Sequence, residues 1–177
     1  MEISTLAIVD VDYNTAYNLS TRQTPVSNQE NETRVDQYIV HLQEDRAALP
    51  QSIRYLVADG YYSKTKFIEG VTALKLELIG KLRNDANLRW LYKGEQKSRG
   101  RPKCYDGKVN FDDLNSFKLV DEIDTVKLYT AIVNSAHFKR DLRIVYLVKT
   151  VGKKLQTAFE DKVFFAKKTL SSNTIFY

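Results

Sequence analysis

The sequence predicts an α/β protein with a mixed β-sheet. Short apolar, β-branched runs, which are typical of strands, occur at residues 3–11, 53–58, 76–82, 127–133, 142–148 and 162–166. Between them, apolar side chains recur every three or four positions at residues 35–49 and 64–74, as expected for amphipathic helices. The order strand, helix, strand over residues 53–82 predicts a βαβ unit, in which the two strands are parallel.

The first half of the chain is predicted to contain a β-hairpin, two helices and two further strands. The hairpin turns near Asn14, and a loop at residues 24–32 precedes a helix that runs from Val35 to about Ala48, before Pro50. The strand at residues 53–58 ends at Asp59-Gly60, where the backbone of glycine is free to turn.

In the second half, the apolar pattern stops over residues 84–108. The basic segment 93–103 contains two glycines and a proline, which keep it out of regular structure. Two strands around a polar turn near Lys139 and a last strand at residues 162–166 follow. No internal repeat is found.

The positive charge is concentrated in this basic segment. The chain has 177 residues and a net charge of +5, yet residues 1–80 hold 7 basic and 11 acidic side chains, residues 81–108 hold 9 and 3, and residues 109–177 hold 11 and 8. Such a block is typical of contacts with a phosphate backbone, since each neutralised phosphate releases counterions. A solvated surface loop is the alternative that stays open.

Composition excludes several classes of function. One cysteine, Cys104, excludes a disulfide framework, a cysteine-rich zinc site and a CxxC redox pair. The two histidines, His41 and His137, exclude a multi-histidine metal site and look isolated in the sequence, so neither predicts a nucleophilic triad. No P-loop or dinucleotide-binding motif is present, and we expect a cytoplasmic protein without a signal peptide, a membrane span or a membrane partner.

Asp59 is the leading candidate for a functional carboxylate. It follows an apolar strand directly, and ligands of α/β proteins gather at the carboxyl ends of strands. A carboxylate there suits a divalent cation held against a phosphate, whereas a cap for the following turn explains the same residue equally well. Asp10 and Asp12 could meet it across neighbouring strands, although an ordinary hairpin turn is favoured for them, and Asp112 and Asp113 are expected in a turn.

A set of basic residues forms the candidate phosphate-binding surface. Arginine offers a planar fork to phosphate oxygens, and the neighbouring glycine and proline let the backbone approach closely. The aromatic residues Trp90, Tyr92 and Tyr105 could stack on a splayed base, but such residues more often anchor a loop or a core. The predicted DNA-binding residues are Lys81, Arg83, Lys97, Arg99, Arg101 and Lys103.

Three linked motifs resemble those of the DDE transposases of bacterial insertion sequences. They are YLVADGYYSKTKF at residues 55–67, GKLRNDANLR at 80–89 and SRGRPKCYDGK at 98–108. The resemblance covers nearly the whole chain to about Val148. It implies an RNase H-like core with an inserted β-rich segment: a partial catalytic core at residues 1–83, a basic, β-rich insertion at 84–160 and a truncated return toward the core at 161–177.

The same resemblance implies metal-dependent cleavage and strand transfer of DNA. In the family, two Asp and one Glu bind two Mg²⁺ or Mn²⁺ ions, and Asp59 matches the second Asp. The basic block would contact DNA, namely the transposon ends, and a homo-oligomer is left open as a further partner.

The sequence departs from the family pattern at two of the three catalytic acids. The first Asp would lie upstream of this chain, and no Tyr-x-x-Arg-x-x-x-Glu pattern occurs after the insertion. We therefore expect a central fragment that binds metal weakly or not at all and is inactive alone. The alternatives are a non-catalytic DNA-binding remnant, or a nuclease in which Asp10 or Asp12 replaces the first acid.

Overall fold

A computed structural model describes residues 2–24, 32–83 and 85–149, together with the backbone of residues 162–166. The predicted loop at residues 24–32 and the return segment at 161–177 lie largely outside the described residues. The described part is a mixed α/β fold, as predicted. Its elements are β1 (Glu2–Asp10), β2 (Thr15–Thr24), α1 (Arg34–Asp45), β3 (Tyr55–Ala58), α2 (Thr65–Ala73), β4 (Glu77–Lys81), β5 (Leu88–Leu91), β6 (Tyr105–Lys108), β7 (Lys118–Ile123), β8 (Val126–Ser135), β9 (Arg140–Lys149) and β10 (Lys162–Ala166).

The predicted hairpin is confirmed as an antiparallel two-stranded sheet of β1 and β2. Asn14 sits in its turn with a positive φ of 50°, a conformation that asparagine tolerates better than most residues. The Asp10 carboxylate accepts bonds from the backbone N–H groups of Asp12 and Tyr13, both at 3.1 Å. Asp10 therefore shapes the turn, which is the interpretation favoured from the sequence.

The predicted βαβ unit is also confirmed. β3 and β4 are parallel neighbours with Ala58 opposite Gly80, and α2 connects them. β3 is the terminal strand of its sheet, and its Val57 side chain is 74% exposed. Such an exposed apolar edge is a place where a further strand can pair.

One eight-stranded sheet joins both halves of the chain. Its order is β3-β4-β10-β9-β8-β5-β6, and β7 pairs with β8 outside this path. The strands on the two sides of the predicted boundary at residue 83 thus lie in the same sheet. The boundary itself stays a prediction.

Sequence analysis did not predict three of the strands. β5 and β6 are four residues each and lie on either side of the irregular basic segment, and β7 is exposed at every position. Each lacks the alternation of apolar and polar residues over four or more positions that predicts a strand. Pairing with the long strand β8, directly or through β5, holds them in place.

The core lies between the sheet and the two helices. Val35, Ile39 and Leu42 of α1 pack with the buried apolar side of α2, and the centre of the sheet supplies further fully buried side chains. These strand residues are Leu78, Leu88, Val133, Leu142 and Ile144. The apolar spacing in the sequence therefore identified both helices and the central strands from the burial they require.

Candidate nucleic-acid interface

The β5–β6 hairpin ends in a closed loop of basic residues. The Gln96 amide pairs twice with the backbone of Lys103, because its Nε2 donates to the carbonyl at 2.8 Å and its Oε1 accepts from the N–H at 2.9 Å. These two bonds close residues 97–102, which we call the basic tip. Every residue of the basic tip is exposed. The loop thus has a defined base and a solvent-facing end.

Tyr92 stiffens the base of this loop. Its backbone N–H donates to Cys104 at 3.0 Å, and its hydroxyl donates to the carbonyl of Glu95 at 2.9 Å. Gly94 lies flat against the ring, where a Cβ would come within 2.6 Å of the hydroxyl oxygen. The Lys103 ammonium lies 4.5 Å from the ring centroid on a cation–π contact. A side chain at position 94 would displace the ring that supports the loop.

The basic tip carries three cations without a partner among the described residues. In the part of the chain that the structure describes, Lys97, Arg99 and Arg101 form no hydrogen bond or ion pair. Gly100 lies between the two arginines with a φ of 99°, which favours glycine, and has open space around it. Three free positive charges on one short loop repel each other, so the binding of an anion here would be favourable.

Of the other three predicted DNA-binding residues, Arg83 and Lys103 form ion pairs with nearby carboxylates. Lys103 forms an ion pair with Asp106 at 2.6 Å, which raises the pKa of its ammonium. Arg83 makes two 2.9 Å bonds to Asp85. Lys81 lies at the end of β4, beside Ser63, whose hydroxyl donates to the Lys81 carbonyl at 2.8 Å. The structure therefore separates the unpaired cations of the tip from Arg83 and Lys103, whose side chains have acidic partners.

The aromatic residues near the basic block are anchors in this structure. Trp90 packs edge-on against Phe117, with ring centroids 5.3 Å apart. The Arg89 guanidinium lies 3.8 Å from the centroid of Tyr105. The sequence left open whether these aromatic residues stack on a base or anchor the structure. The contacts observed are those of anchors.

Asp59 lies at the carboxyl end of β3, next in register to Lys81 at the end of β4. One carboxylate oxygen accepts the N–H of Tyr61 at 2.9 Å and caps a short 3₁₀ turn at Gly60–Tyr62. The turn is held by Tyr62, whose ring lies 5.3 Å from Tyr38 and 4.8 Å from Phe67. Burial, with the Asp59 charge second, raises the pKa of Tyr62. The capping role is thus present, and Asp59 is exposed.

Asp59 does not belong to a cluster of potential metal ligands within the described residues. No group of three or more His, Cys, Asp or Glu side chains in that part of the chain is arranged to hold a metal ion. Asp10 is occupied by its own turn, and Asp113 caps a second 3₁₀ turn through Asn115 and Ser116. Asp59 could contribute one ligand, so a complete metal site needs ligands from outside the described residues.

Sequence analysis was wrong to treat His41 as isolated. The ring is 3% exposed, with Nδ1 2.8 Å from the Ser4 hydroxyl and Nε2 2.6 Å from the Ser20 hydroxyl. Asp45, one helical turn later on α1, lies 3.1 Å from Nε2, and it also pairs with Arg22 at 2.5 Å. Burial lowers the pKa of His41, and the Ser20 hydroxyl lowers the pKa of Asp45.

This buried polar network joins three elements that are distant in sequence. Ser4 belongs to β1, Ser20 and Arg22 to β2, and His41 and Asp45 to α1. Only the i, i+4 spacing of His41 and Asp45 could have been recognised beforehand. The network holds the β1–β2 hairpin on α1.

Comparisons with known proteins leave the family open. Neither a scan against models of protein families nor a search of curated proteins gives a match to this chain.

Helices that could cross a membrane are not found either. Within the described ranges, neither α1 nor α2 is long and apolar enough for a span.

Proposed function

We propose that this chain is the central segment of a DDE transposase with an RNase H-like core. In this proposal Asp59 is a metal ligand of the catalytic centre, and the basic tip of the inserted segment contacts transposon DNA. The observation that carries it is the exposed Asp59 carboxylate at the carboxyl end of a parallel strand pair, on a turn anchored by packed aromatic rings.

The position of Asp59 suits chemistry on a phosphodiester. The end of β3 is open to solvent, and Lys81 lies at the end of the adjacent strand. The 3₁₀ turn restrains the Asp59 carboxylate through the Tyr61 N–H. Binding a cation therefore costs this side chain little conformational entropy. When bound, Mg²⁺ or Mn²⁺ would supply Lewis-acid stabilisation of the phosphate oxygens.

The basic tip suits a duplex backbone. Its three unpaired cations lie on a loop whose base is closed by four hydrogen bonds, so contact with a phosphate orders few additional residues. Neutralising about three phosphates gives a slope of log affinity against log salt near −3. Fluorescence anisotropy with a labelled duplex over a salt series measures this slope, and a salt-independent affinity would contradict it.

The role of Asp59 is tested by Mn²⁺ broadening of backbone amide signals in the NMR spectrum of the full chain. We expect weak binding that broadens residues 58–62 first, and loss of that pattern in Asp59→Asn. Asp112→Asn is the matched control, since Asp112 is an exposed turn carboxylate far along the chain. Equal broadening in Asp59→Asn and the parent chain would exclude Asp59 as a ligand.

A non-catalytic DNA-binding protein is the second candidate. It is favoured by one observation, that Asp59 belongs to no group of three or more potential metal ligands among the described residues. Sequencing the DNA on both sides of the reading frame and translating every frame separates the two. A strand-borne Asp upstream and a Tyr-x-x-Arg-x-x-x-Glu pattern downstream would support the transposase, and the lack of both would support the second candidate.

A further inference from the structure

We propose that the basic tip binds in the minor groove of DNA and prefers A·T-rich sequence. The inference rests on the proposed DNA contact and specifies which surface of the duplex the tip contacts. It is carried by the shape of the loop together with the identity and freedom of its cations.

The end of the tip is an exposed bend that is narrow at Gly100, where there is no side chain. Gly100 has no side chain, its φ of 99° turns the backbone sharply, and nothing lies within 4 Å of the position a Cβ would take. Arg99 and Arg101 flank it, and Pro102 fixes the following backbone. The minor groove is about 6 Å wide, so an element that enters it must be a chain of this kind and not a whole helix or ribbon.

The free side chains at the tip suit minor-groove electrostatics better than readout of major-groove base edges. Both amide atoms of Gln96 already bond the Lys103 backbone, so the edge of the amide that would pair with adenine in the major groove is used to close the loop. The arginines are free. Narrow A·T minor grooves concentrate negative potential, and arginine enters them readily because its guanidinium is weakly hydrated.

The charge around the tip agrees with this placement. From Gln96 to Tyr105 the sequence holds no acidic residue, while Glu95 and Asp106 lie at its two ends. Asp106 is paired with Lys103 at 2.6 Å, at the base of the loop. The end of the loop therefore presents positive charge alone, and the nearest paired acid lies at the base.

The test separates the grooves by base chemistry. Inosine·C pairs have the minor groove of A·T and the major groove of G·C, whereas diaminopurine·T pairs have the opposite combination. Four duplexes of equal length, made of A·T, G·C, inosine·C or diaminopurine·T pairs at their centre, are titrated with the full chain at fixed salt. We expect A·T and inosine·C to bind about fivefold to tenfold more tightly than the other two.

A paired variant assigns the preference to the tip. Arg99→Lys with Arg101→Lys keeps both charges, so we expect the salt slope to persist and the A·T preference to fall to within about twofold. The control is Lys118→Arg, on exposed β7. Equal affinity for all four duplexes, or a preference that follows the major-groove pattern, would overturn the minor-groove proposal while leaving DNA binding intact. No binding to any duplex would overturn both.

Discussion

The buried polar network around His41 and the basic tip use polar side chains in opposite ways. In the network, His41, Asp45 and Arg22 satisfy one another and two serines across three elements. At the tip, Arg99 and Arg101 have no partner in the described part of the chain. Groups that are paired inside contribute to stability, and groups left unpaired outside are free for a ligand. Substitutions in the network should therefore change the free energy of unfolding, whereas substitutions in the basic tip should change the affinity for DNA.

The largest effect is expected at Asp45. Asp45→Ala removes the acceptor shared by Ser20, Arg22 and His41, where the Asp45 side chain is only 12% exposed. Leaving the buried His41 ring and the Ser20 hydroxyl without this acceptor should lower the free energy of unfolding by about 2–4 kcal/mol, while Arg22 keeps its ion pair with Glu44. Urea denaturation followed by circular dichroism measures it. Asp112→Ala, on an exposed turn, is the control and should change the value by less than about 0.5 kcal/mol. Equal effects of the two substitutions would contradict a structural role for the network.

A smaller effect is expected from pH, because the pKa of His41 is lowered below its usual 6.5 by burial. The folded protein then disfavours the protonated ring, so this stabilisation is complete above about pH 6.5 and is lost as pH falls through the lower pKa of the folded state. The Asp45 charge opposes the shift, and Arg22 reinforces it. The direction of this pH dependence is checked by measuring the melting temperatures of the parent chain and of His41→Gln as the pH falls from about 6.5. A melting temperature of the parent chain that rises relative to His41→Gln on acidification would contradict it.

The smallest effect on stability is expected at the basic tip. Arg99→Ala with Arg101→Ala removes exposed, unpaired side chains, so the free energy of unfolding should change by less than about 0.5 kcal/mol, while repulsion within the loop decreases. The same urea titration measures this, and DNA affinity of the same sample should fall. Destabilisation as large as that of Asp45→Ala would mean that the tip is part of the structural framework and would remove the contrast.

Sequence analysis predicted the elements whose side chains follow a regular burial pattern. The spacing of Val35, Ile39 and Leu42 identified α1, and the apolar runs identified β3, β4, β8 and β9. It missed β5, β6 and β7, because short or fully exposed strands carry no such pattern and depend on pairing with a neighbour. Among the site residues, Asp59 was placed correctly at the end of a strand. Its cap to Tyr61 and the partners of Arg83 and Lys103 depend on side-chain geometry.

The sequence by itself determined the α/β class, the hairpin turn at Asn14, the parallel β3–α2–β4 unit and the concentration of positive charge in residues 81–108. These features follow from the local conformational preferences of the residues and from the period at which apolar residues recur along the sequence. The tertiary structure alone decided that one sheet joins both halves of the chain and that His41 meets Ser4, Ser20 and Asp45. It also decided which cations stay unpaired, since long-range contacts depend on which surfaces pack together.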